Sequence, residues 1–261
     1  MRWHLFSFVN SCIINYSVKK KSEKQMDFDR MLRYCEQLER NNNRTWFHDR
    51  ENHALYTAAK EDFTELLRDL KFRLSEVVAP DLAERLLYAD PKAMQYRIPR
   101  DMRANRGKLP YNPRWAADIS GDRHALLPIG YYVHIQPGGR TMFGTGAWCW
   151  EPEMYLRVRT AISTQFLRFS EAIEESGLPL LGEGMLKRVP RGFDADDPAA
   201  EYLKFKSWLV ARDFADAELQ SFEGFAAACV AAAERMEPLR VFFNDALSGV
   251  HRNPLEVSDW D

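Results

Sequence analysis

Gly130-Tyr131-Tyr132-Val133-His134-Ile135-Gln136, Pro137-Gly138-Gly139 and Arg140-Thr141-Met142-Phe143-Gly144-Thr145-Gly146-Ala147-Trp148 are the stretch that decides the fold. Both flanks are rich in aromatic and β-branched residues, which suit a pleated, half-buried surface, and Pro-Gly-Gly supplies the reversal between them. The segment therefore reads as an antiparallel hairpin at the centre of a sheet. Gly144 and Gly146 within the return strand mark a bulge or a close backbone approach. Upstream, Arg114 to Ser120 carries the same strand composition. Downstream, Trp208 to Ala211 reads as a strand, and Leu180 to Val189 as another strand or a pair of short ones.

Around this centre the periodicity is helical. Met31, Leu32, Cys35 and Leu38 recur at helix spacing until Asn41-Asn42-Asn43, which can end one helix and cap the next. Leu55, Ala59, Phe63, Leu66, Leu70, Leu74 and Val77 form one stripe, so a second helix is expected from Thr45 to Val78, long enough to need a kink or break, with Pro80 as its stop. Pro152 opens a helix that Val158, Ile162, Phe166, Phe169 and Ile173 continue to Gly177. Asp197-Pro198 reads as the start of a short helix. Two closing helices follow, one through Leu219, Phe222, Ala226, Cys229, Ala233 and Met236, the other from Pro238 to Leu247. The expected class is α+β: a central antiparallel sheet flanked by an N-terminal helical hairpin and C-terminal helices.

Composition sets the bounds. With 46% hydrophobic and 28% charged residues the 261-residue chain is ordinary for a folded, water-soluble protein, and the net charge of −2 leaves room only for a local basic patch. Residues 1–25 are too polar for a spanning helix and lack a small-x-small cleavage site, so they are expected to be a disordered leader or a mispredicted upstream start, with a membrane anchor as the alternative. One domain is expected over residues 26–250, then a flexible tail over 251–261. Cys12, Cys35, Cys149 and Cys229 have no metal or disulfide spacing and read as small core hydrophobes of a cytoplasmic protein.

Chemistry is densest between residues 97 and 114. Arg97, Arg100, Arg103, Arg106, Lys108 and Arg114 stand there against a single acid, Asp101. Guanidinium forks suit phosphate or carboxylate, and Pro99, Gly107 and Pro110 make the segment a shaped loop. Arg97, Arg100, Arg103 and Lys108 are the candidate ligand-binding residues, and Asp101 and Tyr111 the candidate catalytic ones. The alternative is structural: Asp101 pairing with arginines to pin the loop, and Tyr111 a packed ring.

Arg97-Ile98-Pro99-Arg100-Asp101-Met102-Arg103, Lys108 and Pro110-Tyr111 resemble the signature of the bacterial and fungal family called domain of unknown function 2461. Asn42 to Phe47, Tyr131 to Gly139, Pro152-Glu153 and Lys187 to Asp194 support the resemblance, which covers roughly Phe28 to Leu247. Ala104 stands where that family carries phenylalanine. The resemblance implies one α+β domain and nominates Arg100, Asp101, Arg103, Lys108 and Tyr111, while leaving the reaction unassigned.

A second basic cluster, Lys187, Arg188 and Arg191, is expected to face the first across a cleft or to form a solvated rim. No nucleotide loop, nucleophile elbow or metal spacing is present: His48 and His53 diverge around a helix, and His134 has no partner at metal spacing, so no metal and no cofactor are expected. Three readings remain: a small anionic ligand, extending to a metal-independent enzyme; a nucleic-acid or acidic-protein binder using Trp115 or Trp148 as stacking rings; and an arginine network that is purely structural. Oligomeric state is not specified.

Overall fold

The computed structural model describes residues 26–103, 105, 107–121, 127–149, 151–182 and 184–248. The expected leader and tail, together with Ala104 and Arg106, lie outside the described residues. Asp27 starts the first helix, α1 (Phe28–Arg40), by accepting from the Arg30 backbone N–H at 2.9 Å. Asn43 caps α2 (Arg44–His48) in the same way, and Asp49 caps α3 (Arg50–Ser75). The second helix of the expected hairpin is thus broken at Asp49, whose side chain takes up the next helix's orphan N–H groups. Pro80 does more than stop it: it occupies the first turn of a further helix, α4 (Pro80–Tyr88), where its missing N–H costs nothing.

Four strands follow: β1 (Trp115–Ile119), β2 (Tyr131–Ile135), β3 (Thr141–Trp148) and β4 (Ser207–Phe214). They form an antiparallel sheet in the order β1-β2-β3-β4, with Tyr132 opposite Gly144 and His134 opposite Met142. In the β2–β3 turn Gly138 and Gly139 take positive φ, and their N–H groups donate to Asp216 at 2.8 and 3.0 Å. The class is α+β, as expected.

Alternation divides the sheet. Trp115, Ala117, Ile119, Tyr131, Val133, Phe143, Trp208 and Val210 are buried on one face, against the helices. There the Trp115 indole donates to the Met31 carbonyl of α1 at 3.2 Å, and Phe214 meets Phe225 of the last helix at 4.8 Å. The other face carries Asp118, Tyr132, His134, Met142 and Asp213.

Three expectations are corrected. The helix from Pro152 to Gly177 is two, α5 (Pro152–Thr164) and α6 (Phe166–Ser176), because Gln165 leaves helical geometry at φ −126°, ψ 39°. Among the described residues of the stretch 180–189 a single bridge is formed, Leu181 exchanging both backbone bonds with Leu209, before α7 (Ala200–Leu203). The two closing helices are one, α8 (Phe222–Leu247), running through Pro238, with Leu219 in a preceding 3₁₀ turn. An interior proline costs about 3 kcal/mol. Full burial of Leu239, Phe242 and Phe243 offsets it, at about 1.5–3 kcal/mol each.

Polar ties fix these layers. Arg240 on α8 has no exposed surface, yet donates to Glu237 Oε1 at 2.7 Å, Asp81 Oδ1 at 3.0 Å and the Ile129 carbonyl at 2.7 Å. Burial opposes its charge, but the two carboxylates outweigh that and hold the guanidinium above its ordinary pKa. Glu237 also accepts from the Tyr131 hydroxyl at 2.6 Å and from the Ala79 backbone N–H at 2.7 Å. Helix α8, the start of α4 and strand β2 meet in this network. Arg240→Ala strands Glu237 without its cation, so unfolding in urea should show a loss of about 3–5 kcal/mol; a cost under about 1 kcal/mol would assign the anchoring to apolar packing alone.

Candidate functional site

The arginine-rich loop is an arch on the edge of β1. On the way out, Met94 accepts from the Asp118 N–H and Tyr96 donates to the Ala116 carbonyl; on the way back, Arg100 N–H meets the Pro110 carbonyl and Asn112 N–H the Ile98 carbonyl, all at 2.8–2.9 Å. Pro99 and Tyr111 pair across its neck. The Asn42 side-chain amide clamps Tyr111, donating to its carbonyl at 2.9 Å and accepting from its N–H at 3.0 Å. The Tyr111 ring is buried and stacks on Phe47 at 4.2 Å and 9°. Burial pushes its hydroxyl above the usual tyrosine range.

The candidate residues divide by what they touch. Arg100 donates to the Leu109 and Tyr111 carbonyls at 2.7 and 3.1 Å, so its guanidinium ties the arch together. Burial and the neighbouring Arg114 both disfavour its charge. Arg103 is 91% exposed and wraps Asp101, with Nη2 to Oδ2 at 2.6 Å and its backbone N–H to Oδ1 at 2.9 Å. Those hydrogen bonds hold the Asp101 acid down at about 2, so at neutral pH it is ionised and paired with Arg103. Arg97, exposed, adds its field to Asp101; Lys108 is exposed.

Lys187, Arg188 and Arg191 are exposed in the segment that meets the sheet at the opposite edge, beside β4. Three strand spacings of ~4.8 Å separate the two edges. The structure therefore does not bring the second cluster onto the arch. Trp115, one of the rings considered for stacking on bases, is core, whereas Trp148 is exposed.

Residues outside the nominated set converge on the face of the sheet turned away from the helices that cover its core side. Two-residue spacing puts Tyr132 and His134 of β2 on the same side, with Asp118 opposite Tyr132 and Ala116 opposite His134 on β1. The Tyr96 ring leans over Tyr132, centroids 6.2 Å apart. Arg114 enters from the foot of the arch: it is exposed, no carboxylate pairs with its guanidinium among the described residues, and its charge bears on Arg100, Tyr132 and His134. The alternation in Tyr-Tyr-Val-His was the sequence signal for this pair, since i and i+2 share a face.

His134 is buried. Its Nε2 lies 2.5 Å from the Arg140 carbonyl oxygen, which can only accept, so the ring proton sits on Nε2. Nδ1 is then an acceptor, and the Tyr132 hydroxyl, 3.3 Å away, donates to it. Burial, with Arg114 adding to it, lowers the His134 pKa to about 4. A histidine depressed in the folded state takes up its proton more readily when unfolded. Stability is therefore lost as pH falls from the unfolded value near 6.5 toward about 4. Urea unfolding at pH 7 and pH 4.5 should show a smaller acid loss in His134→Gln than in the parent; equal losses would mean that the imidazole is not held neutral.

Among the described residues no group of three or more His, Cys, Asp or Glu is placed to hold a metal, and no helix is long and apolar enough to cross a membrane. The family model described as "Conserved hypothetical protein (DUF2461)" matches residues 30–242. No curated protein and no solved structure matches.

Proposed function

The chain belongs to the DUF2461 family of conserved hypothetical proteins, and from that premise we propose that the open sheet face beside the arginine arch binds a small anion, a phosphate or a carboxylate. The observation that carries this reading is Arg114: an exposed guanidinium at the rim of the face, without a carboxylate partner among the described residues, beside a second guanidinium already spent on backbone carbonyls. Two cations held this close repel, and an anion seated between Arg114 and the sheet relieves that repulsion. Exposed Lys108 on the same arch adds to the positive field that steers such a ligand. Asp118, beside Tyr132, directs it to the Arg114 end.

The structural reading accounts for Arg100 and for the Asp101–Arg103 pair, so the proposal rests on Arg114. Burial of Trp115 removes one of the two rings that a base-stacking surface would use, which favours a small ligand over nucleic acid. A native-state ligand raises thermal stability by mass action. Millimolar phosphate, or a small carboxylate, should raise the melting temperature of the parent and of Lys187→Ala. Arg114→Ala should bind about tenfold more weakly or worse, the loss of one charge-assisted hydrogen bond. No shift in the parent, or an undiminished shift in Arg114→Ala, would refute the assignment.

A further inference from the structure

Tyr132, on the face of the sheet turned away from the helices, has its own proton committed. Its O–H donates to His134 Nδ1, and His134 is in turn held by the Arg140 carbonyl. A phenolic oxygen that donates once keeps its lone pairs for accepting. On β1, Ala116 stands opposite His134, so a small side chain separates Arg114 from Asp118 along that strand and leaves the space over the imidazole to Tyr132 and Tyr96. The charged groups acting on the pair are Arg114 at the foot of the arch, Asp118 on β1, Asp213 on β4 and Arg140 in the β2–β3 turn. Asp118 stands opposite Tyr132 and Asp213 lies across β3, while the charge of the exposed Arg114 acts on both rings.

We propose that the ligand of this face is an anion that also carries a hydroxyl or amine, with Tyr132 Oη accepting that donor while Arg114 holds the negative group. His134 is a positioning residue: it keeps the Tyr132 proton turned inward, so that the ligand meets an acceptor rather than a competing donor. This rests on the anion reading above and adds the substrate class.

The test uses two matched pairs of probes, glycerol 3-phosphate against propyl phosphate and lactate against propionate, titrated calorimetrically into the full chain. In at least one pair the hydroxylated anion should bind the parent about three- to tenfold more tightly, the usual worth of one net hydrogen bond. Tyr132→Phe should erase that preference while leaving propyl phosphate or propionate affinity unchanged, and Arg114→Ala should weaken both members of the pair. For His134, ¹⁵N spectra should show the Nε2–H tautomer in the parent and a displaced Nδ1 resonance in Tyr132→Phe. Equal affinity within both pairs, a preference that survives in Tyr132→Phe, or an Nδ1–H tautomer overturns this inference and leaves the anion site standing. Absence of binding by all four probes overturns both.

Discussion

Arg240 is a full positive charge with no surface in water, and it survives there because three elements supply its acceptors at once: Glu237 from its own helix, Asp81 from the first turn of α4, and the Ile129 carbonyl from the approach to β2. The Tyr131 hydroxyl and the Ala79 N–H close the remaining positions on Glu237. A buried ion network of this kind adds little net stability relative to an apolar core, but it penalises any arrangement in which one partner is displaced. It therefore sets where α8 lies against the sheet and where β2 begins. Asn244 belongs to the same corner, accepting from the Ile129 N–H at 2.7 Å.

With β2 registered from the buried side, alternation settles the other side. Tyr131 points into the network, so Tyr132 must point out, and His134 follows it at two residues' distance. A second tie works from the opposite end of the molecule: Asn42, just after α1, clamps the backbone of Tyr111 and so sets where the chain enters β1. Arg114 comes three residues later. The proposed site is thus assembled at the point where two independently anchored strands lie side by side, and its parts come from rigid backbone rather than from the tip of the arch.

Much of the arginine signal resolves into architecture. Arg100 donates to the Leu109 carbonyl and adds a second donor to the Tyr111 carbonyl that Asn42 already holds, and Arg103 satisfies Asp101. These are the positions at which the sequence spoke loudest, because charge density is visible in one dimension. The direction of each side chain is not.

Strands β1 to β3, the Pro-Gly-Gly reversal, the asparagine cap between the first two helices and the α+β class were legible, because two-residue and 3.6-residue periods and cap chemistry are local properties. The breaks at Gln165 and the continuity of α8 through Pro238 were not: the first rests on packing that no residue type announces, and the second on distant apolar partners that outweigh proline's local cost. In the same way, the sequence by itself determined which residues can be cations, turns and strands. Only the tertiary structure decided that Arg100 is consumed by backbone, that the segment leading to Lys187 joins the sheet at its far edge, and that the charge of Arg114 bears on Tyr132 and His134. Those outcomes depend on which strand pairs with which, and pairing is set by burial and hydrogen-bond satisfaction between segments far apart in the chain.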